Sequence, residues 1–331
     1  MEYYAFIWLL IAISMIINVI PVTSKPNSIT LIKNAPKHSL NEIFQFNRDY
    51  LTSRYEHLTR GPDQYALNKL ASAEKRSKTI NIAASEFGYF GPVVIGGQKF
   101  NVRFSLADSD LWVSNSSLII TNIYIILAES LSKTFRPLNT NYAISYGPTV
   151  VQGVLGNDKL LVNRIKSDQI FGLTHSENGF LKKAVFDGMF GLGFDSLSHF
   201  NTTSPFSKMV KQKAVKNPYF GLHISGEGDV GTLTFGDIDK TKFTGKLNYH
   251  NVSTINGEYV FWMTNADNIS INGKKLKYKK KMAIFDTSAY AVFMSSDDAD
   301  AYHKLIKGSE KRKISNDVGE AYVVPCNTTV K

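Results

Sequence analysis

From Glu86 onward the chain consists of short runs of Val, Ile, Phe and Tyr, interrupted by Gly, Asn or Asp about every eight to twelve residues. Apolar runs so short, with turn-forming residues between them, predict an all-β sandwich or barrel. Phe100, Val102 and Phe104 alternate with Asn101, Arg103 and Ser105, as expected of a strand with one face in a core and the other in solvent. Residues 230–235, 246–249 and 291–294 read the same way. Helix is expected only in patches, at 207–215 and 296–306. Two segments mirror each other across this region. Val102-Arg-Phe-Ser-Leu-Ala-Asp108 and Ala283-Ile-Phe-Asp-Thr-Ser-Ala289 each run an apolar strand into a polar turn, which suggests duplicated lobes whose turns meet at one cleft.

The chain has 331 residues, room for two ordinary domains at roughly 100–200 residues each plus a leader. With 43% hydrophobic and 20% charged residues it lies far from the composition of a disordered chain. The single cysteine, Cys326, excludes an internal disulfide framework and a multi-thiolate zinc site, since each needs two or more thiols. The seven histidines show no metal-ligand spacing. No metal and no cofactor is expected.

Residues 5–20 are apolar or small and uncharged, and are followed by Pro21 and then Val22, Thr23 and Ser24. This is the pattern of a secretory signal peptide, 1–24, cleaved near Ser24. A signal anchor is the alternative, against which stands a run shorter than the roughly 20 residues a spanning helix needs. Asn-X-Ser/Thr sequons at Asn115, Asn201, Asn251, Asn268 and Asn327 add weight to secretion as a glycoprotein, outside the cell or in the endolysosomal system.

The formal charge of +10 raises the question of nucleic acid. Half of it belongs to residues 25–85, with ten basic and five acidic side chains, so the rest of the chain is far less basic. That segment also shows helical spacing, with Leu40, Ile43 and Phe44 followed by Leu51, Tyr55 and Leu58. It reads as a solvated helical hairpin or as a basic propeptide covering an acidic cleft. No nucleic-acid partner is expected. Lys274-Lys-Leu-Lys-Tyr-Lys-Lys-Lys281 carries six lysines in eight positions and reads as a solvated hairpin tip, with an acidic surface or glycan as the sharper alternative.

The order of motifs resembles the pepsin-like aspartic endopeptidases. Phe90-Gly-Pro-Val-Val-Ile-Gly96 is similar to the family's first strand, and Phe104-Ser-Leu-Ala-Asp-Ser-Asp-Leu-Trp-Val113 falls on its first active-site turn, F-D-T-G-S-S-x-L-W-V. Ile144-Ser-Tyr-Gly147 with Gly153-Val-Leu-Gly156 resembles the flap. Phe186-Asp-Gly-Met-Phe-Gly-Leu-Gly193 resembles the apolar-apolar-Gly element under the first turn, and Ala283-Ile-Phe-Asp-Thr287 the second active-site turn. The resemblance implies an all-β, bilobal acid protease fold: prosegment 25–85, N-terminal lobe with flap 86–247, and partial C-terminal lobe 248–331. The 84 residues of that last stretch are fewer than the family's second lobe needs, so an incomplete second lobe is expected, with Cys326 lacking its usual partner.

The family's chemistry uses two carboxylates that share a proton, one serving as base toward water and the other as acid toward the peptide carbonyl. Here the first position, seven residues before Trp112, is Ser105; Asp286 holds the second. The Thr-Gly after the first position has become Leu106-Ala107, and the Gly after Thr287 has become Ser288. Tyr290 places a bulky ring nearby. Trp112 and Tyr146 match the paired flap aromatics, so Tyr146, Trp112, Gly147, Thr287 and Ser288 are the expected substrate-binding residues. The resemblance thus implies a catalytically impaired, monomeric homologue that binds a peptide or protein in its cleft and is covered by its own prosegment. Two alternatives stand beside it: an acid endopeptidase in which Asp108 substitutes for the lost carboxylate, and a secreted glycoprotein with no cleft function.

Overall fold

A computed structural model describes residues 4–7, 78–85, 88–114, 132–146, 149–177, 186–224, 230–271, 273–289, 292–315, 319–325 and 328. Its strands are β1 (Tyr4–Ile7), β2 (Lys78–Ser85), β3 (Gly88–Ile95), β4 (Gln98–Ser105), β5 (Leu111–Ser114), β6 (Arg136–Tyr146), β7 (Thr149–Val162), β8 (Ile165–Glu177) and β9 (Gly188–Gly191). Helix α1 (Pro205–Lys211) follows, then β10 (Phe220–Ile224), β11 (Val230–Phe235), β12 (Met263–Ile271), β13 (Lys274–Ile284) and β14 (Val292–Ser295). Helix α2 (Ser296–His303), β15 (Glu310–Ser315) and β16 (Gly319–Val323) end the order. The predominance of strand agrees with the all-β pepsin-like fold.

Ten strands form one sheet in the order β10-β11-β2-β3-β4-β9-β5-β8-β7-β6. An extra pairing of β3 with β7, Val94 to Leu161 and Ile95 to Leu160, folds the sheet back on itself. The enclosed space is filled by Val102, Phe104, Phe190, Met209, Leu233 and Phe235. Beyond β11 the chain makes the hairpin β12–β13 and a sheet of order β14-β1-β16-β15. Tyr4–Ile7, in the stretch expected as signal peptide, thus pairs antiparallel with β14 and parallel with β16. No helix among the described residues is long and apolar enough to cross a membrane.

Several expectations change on contact with the structure. In β4, Arg103 and Ser105 are as fully buried as Val102 and Phe104, so this strand has no solvent face there. The cause is topology: β4 lies between β3 and β9, and the second turn covers the side that alternation assigned to water. Residues 246–249 form no strand, and Tyr249 is 84% exposed; a four-residue alternation without a ladder partner cannot hold itself extended. Lys78–Ser85, within the interval expected as helical prosegment, is a strand between β11 and β3. The rest of that segment, from 25 to 77, lies outside the described residues, as do Asn115, Gly147, Tyr290, Cys326 and Asn327. The helices fall near their expected places. α1 begins with a proline in its first turn, and α2 is capped by Ser295, whose hydroxyl accepts from the Asp298 N–H.

Candidate active site

The first turn runs from the end of β4 into β5, and β9 threads between those two strands, parallel to β4 and antiparallel to β5. Because the turn must step over β9, it lies flat on that strand's C-terminal end. The N–H of Gly191 donates to Asp110 O at 2.9 Å, Leu192 N–H to Ser105 O at 2.8 Å and Gly193 N–H to Asp108 O at 2.7 Å. A Cβ on Gly191 would come within 2.4 Å of the Ser109 carbonyl carbon. The glycine is therefore needed for the contact that holds the turn.

The second turn follows β13. Phe285 N–H donates to Trp262 O at 2.8 Å, and the Ser288 N–H donates to Asp286 Oδ1 at 2.7 Å. The two turns meet face to face. The Thr287 hydroxyl accepts from the Leu106 N–H at 3.1 Å and donates to Phe104 O at 2.8 Å, which locks the second turn to the end of β4. A reciprocal hydroxyl brace from the first turn is ruled out by Leu106, whose side chain has no polar atom. In its neighbourhood Arg103, 0% exposed, donates from Nη2 to Ser288 O at 3.2 Å. Gly88 leaves room for this contact, since a Cβ there would lie 3.1 Å from Arg103 Nε and 3.0 Å from Thr287 O.

Between the turns lies a chain of hydroxyls. Ser105 donates to Asp108 Oδ2 at 2.5 Å and lies 2.9 Å from the Ser288 hydroxyl. Ser105 has one proton and gives it to Asp108, so Ser288 is the donor in that second contact. Ala107 N–H also donates to Ser105 Oγ, at 3.3 Å. Asp108, Ser105, Ser288 and Asp286 are all buried. Strand alternation gave Asp108 no clear direction; the turn bends it back onto Ser105. Asp110 turns the other way, accepting from Ser198 Oγ at 2.6 Å and His199 N–H at 2.7 Å, so it braces the 198–199 loop. Trp112 Nε1 donates to Tyr146 OH at 2.9 Å, joining β5 to the tip of the β6–β7 hairpin.

One residue, Arg103, and one contact, that of Ser288 with Ser105, escaped sequence reasoning. Arg103 sits on an alternating strand and reads as solvent-facing, and the sequence offers no sign of the cover above it. The approach of Ser288 to Ser105 had a partial signal in the loss of glycine at that position. Chemically, the site offers one buried carboxylate on each turn, Asp108 and Asp286, with the hydroxyls of Ser105 and Ser288 in contact between Asp108 and the second turn. Among the described residues, no group of three or more His, Cys, Asp or Glu side chains is placed to hold a metal ion.

A sheet closed on itself, two strand-to-turn units meeting through a threonine brace, and a hairpin tip held by a Trp–Tyr bond define the class of pepsin-like acid proteases. The sequence matches the family described as eukaryotic aspartyl protease over residues 88–331, and the chain belongs to that family. It is 29% identical over 257 residues to the aspartic-type endopeptidase ctsD of Aspergillus fumigatus, covering 76% of this chain and 53% of that protein. Pregnancy-associated glycoprotein 6 of Ovis aries is 30% identical over 246 residues, 72% of this chain and 62% of that one. Pepsin A of Bos taurus is 35% identical over 196 residues, 57% and 51% of the two chains. The chain spans about half the length of the curated relatives it matches.

Proposed function

We propose that this protein is a secreted aspartyl protease homologue that binds a peptide or protein segment between its two turns and hydrolyses it poorly or not at all. The observation that carries this reading is Ser105 at the end of β4, with its proton committed to Asp108 and its oxygen facing Ser288. A hydroxyl does not ionise in the range where carboxylates do, so it cannot share a proton with Asp286 as a second carboxylate would. One carboxylate can serve as base or as acid, but the reaction needs both roles in one turnover. Secretion or endolysosomal delivery, a prosegment over 25–85, glycosylation at the five sequons and a monomeric state complete the reading. The test is turnover of a fluorogenic peptide at acid pH beside binding of a pepstatin-type inhibitor. Binding without turnover is expected, and cleavage that disappears in Asp286→Asn would refute the reading.

The 2.5 Å contact of Asp108 with Ser105 favours a second reading, in which Asp108 and Asp286 work as the carboxylate pair across the serine hydroxyls. It predicts acid-pH cleavage that is lost in Asp108→Asn and in Asp286→Asn alike.

A further inference from the structure

Charge in the β-rich body is unevenly placed. Residues 86–331 carry 28 basic and 22 acidic side chains, and the stretch 274–313 alone holds eleven of the basic and five of the acidic ones. That stretch therefore carries the whole excess, while the remaining residues, with seventeen of each sign, are neutral in sum.

The stretch is also one place in the fold. β13, α2 and β16 meet over a cluster of Ile271, Ala299, Tyr302, Ile306 and Tyr322, against which Leu276 of β13 packs, and β15 pairs with β16 beside it. Lys281 of β13 reaches Asp298 of α2 at 2.8 Å, and Lys311 of β15 reaches Asp300 of α2 at 3.3 Å. Arg312 pairs with Glu310 at 2.6 Å, and Asp286 is buried in the site described above. Four of the five acids are thus engaged. Lys274, Lys275, Lys304 and Lys307 are exposed and have no ion pair among the described residues.

A face that served solubility alone would gain nothing from this concentration, because crowded like charges repel and oppose folding. Lys274 and Lys275 pair with Ile271 and Ser270 at the turn end of the β12–β13 hairpin, and Lys304 and Lys307 follow the end of α2. We propose that the β13–α2–β15 face is a docking surface for a linear sulfated glycan. A thread of sulfates can follow the strand and bend round the acidic first turn of α2, Asp297 and Asp298. A flat anionic bilayer would press against those carboxylates. This surface is independent of whether the cleft cuts peptides.

The test uses the full chain and a heparin oligosaccharide at about 150 mM salt, where screening acts over roughly 8 Å. The set K274E/K275E/K304E/K307E is expected to weaken binding by about tenfold or more, since several local contacts are lost together. The control set K216E/K240E/K242E/K246E, with the same change of net charge on exposed lysines elsewhere, is expected to leave it within about twofold. Equal losses in the two sets would reduce the effect to net charge and overturn the proposal. So would retention of the wild type on heparin no stronger than on a sulfopropyl resin. Equally tight binding to phosphatidylserine vesicles through the same four lysines would overturn the assignment to a glycan. Circular dichroism checks each variant's fold; should the glutamate set unfold, the corresponding glutamine set decides by the same comparison.

Discussion

The hydroxyl of Ser105 donates to the carboxylate of Asp108 at 2.5 Å, three residues further along the same turn. A carboxylate is thus present in the first turn, three residues past the end of β4. The double exchange Ser105→Asp/Asp108→Ser would keep a hydroxyl-to-carboxylate bond between these positions while bringing the carboxylate to the strand end, facing the second turn. On the binding-without-turnover reading, acid-pH cleavage should rise by about two orders of magnitude or more, the scale of a positioned acid or base. Steady-state hydrolysis of a fluorogenic peptide measures it. No gain in a folded double variant counts against Ser105 as the limiting position.

Thr287 makes two hydroxyl bonds to the backbone at the end of β4 and the first turn, to Leu106 N–H and Phe104 O. Thr287→Val keeps the shape and leaves two buried backbone groups without that partner. Each such group costs about 1–3 kcal/mol, so a loss of roughly 2–6 kcal/mol is expected. Chemical denaturation should show it as a lower midpoint. A midpoint within error of the wild type would mean that the two turns do not depend on this brace.

Much of this site was legible in the sequence, for reasons that lie in chain-local patterns. The mirrored segments around Ser105 and Asp286 announce two strand-to-turn units, and the tryptophan seven residues on fixes the register of the first. What was not legible depends on contacts between distant segments. Arg103 looks solvent-facing because alternation assumes one wet face, and only the crossing of 286–288 over β4 removes it. The direction of Asp108 is set by Gly193 N–H drawing in its carbonyl, a contact 85 residues away in sequence. The strand at Lys78–Ser85 owes its conformation to β11 and β3, whereas residues 246–249, with a similar local pattern, have no ladder to join.

Gly191 tests how tightly β9 supports the first turn. In Gly191→Ala the new Cβ would meet the Ser109 backbone at 2.4–2.5 Å, and backbone cannot rotate aside as a flexible side chain can. Displacement of the turn should break the Gly191-to-Asp110 and Gly193-to-Asp108 bonds together. An expected cost of about 3 kcal/mol or more follows from overpacking combined with the lost hydrogen bonds. Thermal unfolding measures it, and an unchanged melting temperature would show that the turn can lift from β9 without penalty.

His303, at the end of α2, gives the fold a pH dependence. It is 2% exposed and stacks on Tyr322 with ring centroids 4.0 Å apart; Nδ1 contacts Ser309 Oγ at 2.7 Å, while Nε2 has no hydrogen-bond partner among the described residues. Burial lowers its pKa from 6.5 to about 4, against the opposing pull of Asp300. Tyr302 also faces the ring, and the Lys311 ammonium lies over Tyr322 at 5.7 Å. Since the folded pKa lies below the unfolded one, the contribution of neutral His303 is fully present above pH 6.5 and is lost as pH falls toward 4. The loss over that window should reach about 3 kcal/mol. His303→Phe keeps an aromatic ring against Tyr322 and removes the titration. Denaturation midpoints measured from pH 7 to 4 should fall more steeply for the wild type than for the variant, and parallel curves would exclude His303 as the source.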